Sequence, residues 1–115
     1  MITGFHQISI IVSSEQSIDF YKRLGFTISN RITREYDSVV LMYGNGIDIA
    51  IFIDPNHPKR AENPENLGVR FFSLRVEDIN TIIKEFDCSP IMEDWFGKKY
   101  CFTFDPDGLP IEFHE

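Results

Sequence analysis

The alternation of apolar and polar residues sets the period of each segment of the chain. His6-Gln7-Ile8-Ser9-Ile10-Ile11-Val12 places Ile8, Ile10 and Val12 on one side and Gln7, Ser9 and Ile11 on the other, the period of two that a half-buried strand requires. The period then lengthens. Ile18, Tyr21 and Leu24 recur at helical spacing, Ser13 with Gln16 three residues on makes a capping box, and Gly25 stands where a left-handed residue ends a helix. The runs 27–33, 38–43 and 46–53 are rich in strand formers, and Gly44-Asn45-Gly46 between the last two predicts a tight hairpin. The first half therefore predicts a strand, a helix and three strands.

From Asp54 to Gly68 the chain carries Pro55, Pro58 and Pro64 with no periodicity, which predicts an exposed connection. The pattern then starts again. Residues 70–76 alternate with Phe72, Leu74 and Val76 on one face, and Asp78 opens a helical run in which Ile79, Ile82, Ile83 and Phe86 fall at i, i+3, i+4 and i+7. Short strands are expected near 90–92, 100–104 and 109–114, with Asp105-Pro106-Asp107-Gly108 as the last turn. Val12 and Val76, like Ile18 and Ile82, stand 64 residues apart, and Gly46 and Gly108 stand 62 apart, so an internal duplication is indicated. The expectation is one α+β domain over residues 1–115 made of two βαβββ modules, about 1–54 and about 69–115, joined by the connection.

Composition narrows the partners. The chain has 115 residues, 43% hydrophobic and 25% charged, with eleven Phe, as a packed interior requires. Eighteen acidic against eleven basic residues give a net charge of −7, and no basic run exceeds two residues, so nucleic acid is excluded as the main partner. No apolar stretch approaches the roughly 20 residues that cross a bilayer, and no leader pattern opens the chain, so no membrane association and a cytoplasmic location are expected. Cys88 and Cys101, thirteen residues apart without CxxC spacing, predict free structural thiols.

The ordered set Phe5-His6-Gln7-Ile8-Ser9-Ile10-Ile11-Val12, Asp19-Phe20-Tyr21 to Leu24-Gly25-Phe26, Pro58-Lys59-Arg60, Leu67-Gly68-Val69-Arg70, Arg75-Val76-Glu77-Asp78-Ile79 and Asp105-Pro106-Asp107-Gly108-Leu109-Pro110-Ile111-Glu112 resembles small glyoxalase I-like proteins of the glyoxalase/bleomycin-resistance (vicinal oxygen chelate) superfamily. The resemblance implies two βαβββ modules forming an open curved mixed-sheet cleft, with helices packed outside, a small-molecule ligand and commonly a homodimer. It also implies four cleft residues that hold a divalent metal, which stabilises a substrate oxyanion as a Lewis acid. On this chain those positions fall at Gln7, Ala50, Phe71 and Glu112, of which Gln7 and Glu112 alone are donors. The four form two module-related pairs, and strand parity places Gln7 and Phe71 opposite the helix-facing Ile8, Ile10, Phe72 and Leu74.

An amide and one carboxylate supply few donors for a Ni, Zn, Mn or Mg ion, so any divalent metal is expected to bind weakly. Asp48 and His114 share faces with Ala50 and Glu112 and are candidates to rebuild the site, although each sits two residues along its strand, about 7 Å away. His6 is expected on the helix side or at the rim as a hydrogen-bonded structural residue, and His57 in an exposed loop. Arg75 shares a face with Phe71 and Ser73. Three fates are open to it: a charge-assisted pair with Glu112, capture of an anionic ligand, or plain exposure. Trp95 and Phe96 are an aromatic pair, either exposed or folded over the cleft.

Two functions follow from the resemblance. One is a divergent lactoylglutathione lyase-like enzyme, a lyase or isomerase of a small 2-oxo or hemithioacetal compound, with Glu112 as general base. The other is a metal-free small-molecule binder of bleomycin-resistance type for an aromatic or cationic ligand, with Gln7, Ser9, Asp48, Ala50, Phe52, Phe71, Arg75 and His114 in its cleft and the loop from Glu93 to Lys99 beside it.

Overall fold

The computed structural model describes residues 1–115 and divides into two compact units, Met1–Pro58 and Lys59–Glu115. In the first unit, strand β1 (Ile8–Val12) leads into helix α1 (Gln16–Arg23), followed by β2 (Thr27–Thr33), β3 (Ser38–Gly44) and β4 (Ile47–Ile53). The sheet runs β1-β4-β3-β2, with β1 parallel to β4 and the other pairs antiparallel. Ile10 and Val12 share a face with Ile49 and Ile51 of β4 and with Met42 and Val40, the β3 register neighbours of those two, and all six are buried. The apolar stripe of α1, Ile18 and Tyr21 with Leu24 just beyond, is buried as well and supplies the helical half of this core.

Local chemistry sets the boundaries. Helix α1 has Glu15 at its cap position without a side-chain cap bond, and the Ser14 hydroxyl accepts from the Gln16 N–H at 3.3 Å, so the helix starts later than a Ser13 cap would place it. At the other end Gly25 has φ 102°, its N–H donates to the Lys22 carbonyl and the Phe26 N–H donates to the Tyr21 carbonyl, the paired closure that only a left-handed residue permits. The β3–β4 hairpin turns on Asn45 (φ 52°) and Gly46 (φ 80°), and the Asn45 amide donates to the Leu24 carbonyl at 2.9 Å.

The second unit repeats the order with shorter elements: β5 (Phe72–Arg75), α2 (Ile79–Ile82), β6 (Met92–Glu93), β7 (Lys99–Phe104) and β8 (Pro110–His114). Its sheet runs β5-β8-β7-β6, again with the first and last strands parallel. The duplication is exact in register: Ile8 pairs with Ile49 as Phe72 pairs with Ile111, and Ser9 pairs with Ala50 as Ser73 pairs with Glu112. Ile79, Phe86, Cys101, Ile111 and Phe113 form the core, with the Phe86 and Phe113 rings 5.2 Å apart. Helix α2 is one turn, capped by the Asp78 carboxylate on the Asn80 N–H, and the chain then reaches Phe86 through irregular turns rather than the continuous helix expected from the spacing. The reason lies just beyond: Ser89 exchanges bonds with Phe102, and the Thr103 hydroxyl donates to the Asp87 carbonyl, drawing this segment onto β7. The last turn is as expected, with the Asp105 carboxylate accepting from the Asp107 and Leu109 N–H groups.

A Cβ at position 44 would collide with the Gly25 carbonyl oxygen and approach the Phe26 Cα to 3.1 Å, whereas one at position 46 meets nothing. Gly44→Ala is therefore expected to cost about 2 kcal/mol or more, and Gly46→Ala about 1 kcal/mol from its positive φ alone. Urea denaturation of the two variants checks this; equal losses would contradict the close approach.

Candidate functional site

In the first unit Gln7 lies just before β1, half-buried, with its amide N–H 3.5 Å from the Ser9 hydroxyl. Ser9 pairs with Ala50, whose methyl is 1% exposed beneath its larger neighbours, and Asp48 and Phe52 follow on the same strand face. Phe52 is partly occupied: the Arg34 guanidinium lies 5.2 Å from its ring centre and 4.8 Å from that of Tyr36, held by two 2.6 Å bonds to Asp37. The Asp37 partner raises the Arg34 pKa, and Arg34 holds the Asp37 carboxyl low. Cavities of about 340 and 220 Å³ share His6, Tyr43 and Asp48. His6 is thus an exposed rim residue, and the hydrogen-bonded role expected for it is not formed. His57 is exposed in its loop, 3.4 Å from Asp54. Glu112, the acid kept at a position that the resemblance assigns to a ligand, belongs to the second unit.

The second unit's sheet has one face filled by Phe72, Leu74, Ile111, Phe113 and Cys101, so strand alternation sends the side chains between them to the other face. The register aligns Ser73, Glu112 and Phe102 across three strands, and Arg75, His114 and Tyr100 in the next row. Phe71 precedes β5 and reaches the same surface, its ring 4.9 Å from Phe102 at 89°. Phe102 is in turn 6.0 Å from Tyr100 at 88°, so the three rings stand successively at right angles. Tyr100 stacks on the His114 imidazole, 6.4 Å away at 12°.

Two short polar contacts organise this surface. The Ser73 hydroxyl donates to Glu112 Oε1 at 2.6 Å, and the Glu112–Arg75 pair weighed from sequence is absent: Arg75 is exposed and within ion-pair distance of no acid. His114 Nε2 lies 2.7 Å from Asp94 Oδ2. The other Asp94 oxygen accepts from the Phe96 and Lys98 N–H groups, at 2.8 and 2.9 Å, so one carboxylate shapes the 94–98 turn and ties it to β8. That turn holds Trp95 and Phe96 outward, 97% and 86% exposed, which settles their alternative fates in favour of exposure. Ser73, Phe102, Tyr100 and Asp94 are the site residues that sequence reasoning did not single out. Parity along the 100–104 run gives the two rings, and Asp94-Trp95-Phe96-Gly97 carries a turn signal, but nothing in sequence joins Asp94 to His114.

Of the four positions that the resemblance assigns to a metal, Ala50 and Phe71 offer a methyl and a benzyl ring without lone pairs, and Glu112 has one oxygen engaged by Ser73. No group of three or more His, Cys, Asp or Glu side chains is gathered to hold an ion. The donor chemistry does not fit a resident divalent metal. Nor is either thiol a nucleophile: burial, with Cys101 alongside, pushes the Cys88 thiol up to about 12, and burial raises Cys101 as well.

The Asp94 carboxyl is held below the ordinary carboxylate range, first by the Lys98 N–H and then by His114. A folded-state value below the unfolded one means that this stabilisation is complete above about pH 4 and is lost as pH falls through the lowered value. The thermal stability difference between the parent protein and Asp94→Asn is therefore expected to be flat near neutrality and to shrink in acid. A difference that grew on acidification would contradict the assignment.

Residues 4–113 match the family model of the Glyoxalase/Bleomycin resistance protein/Dioxygenase superfamily. The chain is 32% identical to the uncharacterized protein YwkD of Bacillus subtilis, over 100% of this chain and 98% of that protein. The crystal structure of a glyoxalase family protein from Enterococcus faecalis is 33% identical, with a TM-score of 0.89 over 97% of each chain. A bleomycin-binding protein solved in complex with bleomycin, 17% identical with a TM-score of 0.64 over 99% of this chain and 98% of that one, shares the fold. With its two register-matched βαβββ units and a family match over nearly its whole length, the chain belongs to the Glyoxalase/Bleomycin resistance protein/Dioxygenase superfamily.

Proposed function

We propose that this superfamily member binds a small organic molecule without a metal, using the face of the second unit that carries Phe71, Ser73, Tyr100, Phe102, Glu112 and His114. The observation that supports this reading most directly is a ring where the resemblance expects a lone-pair donor: Phe71 stands at a position that the resemblance assigns to a ligand, and its ring makes a right-angled contact with Phe102 beside the one retained acid. Aromatic surface with a few placed polar groups suits recognition by stacking and shape. The bleomycin-binding protein of the same fold gives the class a precedent. Arg75, one row further along the same face, adds a guanidinium.

A lyase or isomerase acting on a 2-oxo or hemithioacetal compound would keep Glu112 as its base but would need an electrophile for the developing oxyanion. Ala50 and Phe71 cannot provide one, and Arg75 is left exposed. The binding reading therefore asks less of the residues present.

Titration with simple aromatic probes such as phenol and benzylamine, followed by aromatic ¹³C NMR, is expected to give saturable shifts of Phe71, Tyr100 and Phe102 that are unchanged by EDTA. Phe102→Ala should weaken the binding by about 1 kcal/mol, roughly fivefold. Binding that appears only when nickel, zinc or manganese is added would overturn the proposal.

A further inference from the structure

The Glu112 carboxylate is half-buried, accepts a 2.6 Å bond from a neutral hydroxyl, and lies within ion-pair distance of no Lys, Arg or His. A partly desolvated anion with a neutral partner favours an incoming positive charge. Its register neighbour Phe102 sits between Phe71 and Tyr100, and the successive right angles, 89° and 88°, make the three rings a corner rather than a flat stack. Ring faces are negative, and a cation that has shed its water gains from resting against an accessible ring face beside a carboxylate.

The same residues discriminate among cations. A metal ion or a bare ammonium needs several lone-pair acceptors to replace its hydration shell, and Glu112 with Ser73 supplies too few. A quaternary ammonium has no N–H to satisfy and spreads its charge over alkyl groups that rest against rings. A neutral aromatic fills the corner equally well but leaves the carboxylate without a counter-charge. We infer that this face binds an alkylated organic cation, of the trimethylammonium type, in the corner of Phe71, Phe102 and Tyr100 with Glu112 as its counter-charge. The inference rests on the metal-free binding reading and adds the ligand's chemical class.

Choline and its neutral isostere, in which a tert-butyl group replaces the trimethylammonium, have the same shape and differ in charge. Titrated into the full chain in the presence of EDTA, choline is expected to shift the Phe71, Tyr100 and Phe102 signals saturably. The isostere should bind at least tenfold more weakly, and Glu112→Gln should weaken choline by a similar factor. The comparison on the unsubstituted protein stands even if the Glu112→Gln variant folds poorly. Equal binding of choline and isostere, or choline inert up to tens of millimolar while phenol still shifts the rings, would overturn the cation assignment and leave metal-free binding intact. Zinc or nickel displacing choline from Glu112 with higher affinity would overturn both.

Discussion

The parallel pairing of the first and last strand in each unit is the constraint on which the rest depends. A parallel pair cannot be closed by a hairpin, so the chain must cross over between its two strands, and here a helix and two further strands make that crossover, the βαβββ unit itself. Once Ile8 is set against Ile49, and Phe72 against Ile111, alternation decides what every side chain on those strands faces. Ser9 beside Ala50 and Ser73 beside Glu112 are the same place built twice with different chemistry. A slip of one residue in β8 would turn Glu112 into the core and Ile111 out of it.

From that shared frame the two units diverge. The first has a methyl at its acid position and spends its aromatic capacity internally, with Phe52 and Tyr36 against the Arg34–Asp37 pair. The second has a carboxylate there, which accepts a serine hydroxyl bond, and carries rings on the same face. Losing two donors disables a metal site far more than in proportion, because a weakly held ion does not offset its own dehydration. What remains is negative charge beside π faces, a combination with its own selectivity.

Much of this was legible in the sequence because it depends on period and spacing. The offsets of 64 and 62 residues reappear as strand register, Gly25 closes its helix in the left-handed region, and the Gly44-Asn45-Gly46 turn forms where it was expected. Other features depend on which partner wins a short-range competition, and spacing does not decide that. Ser73 and Arg75 both lie on the Glu112 face, but the serine is its direct register neighbour and the arginine is one row further on. The Ile79 to Phe86 pattern is helical in spacing, yet the helix ends after one turn, where Asp87 and Ser89 accept hydrogen bonds from Thr103 and Phe102 of β7. Asp94 meets His114 only because the β6–β7 hairpin folds back over the end of β8, a contact between residues 20 apart that neither neighbourhood announces.

We propose that an anionic, aromatic surface takes the place of the superfamily's metal chemistry in this chain. Calorimetric titration of the metal-stripped protein with zinc, nickel and manganese tests it most directly. The account predicts no stoichiometric site; one ion held per chain at micromolar affinity or better, and released by Glu112→Gln, would contradict it.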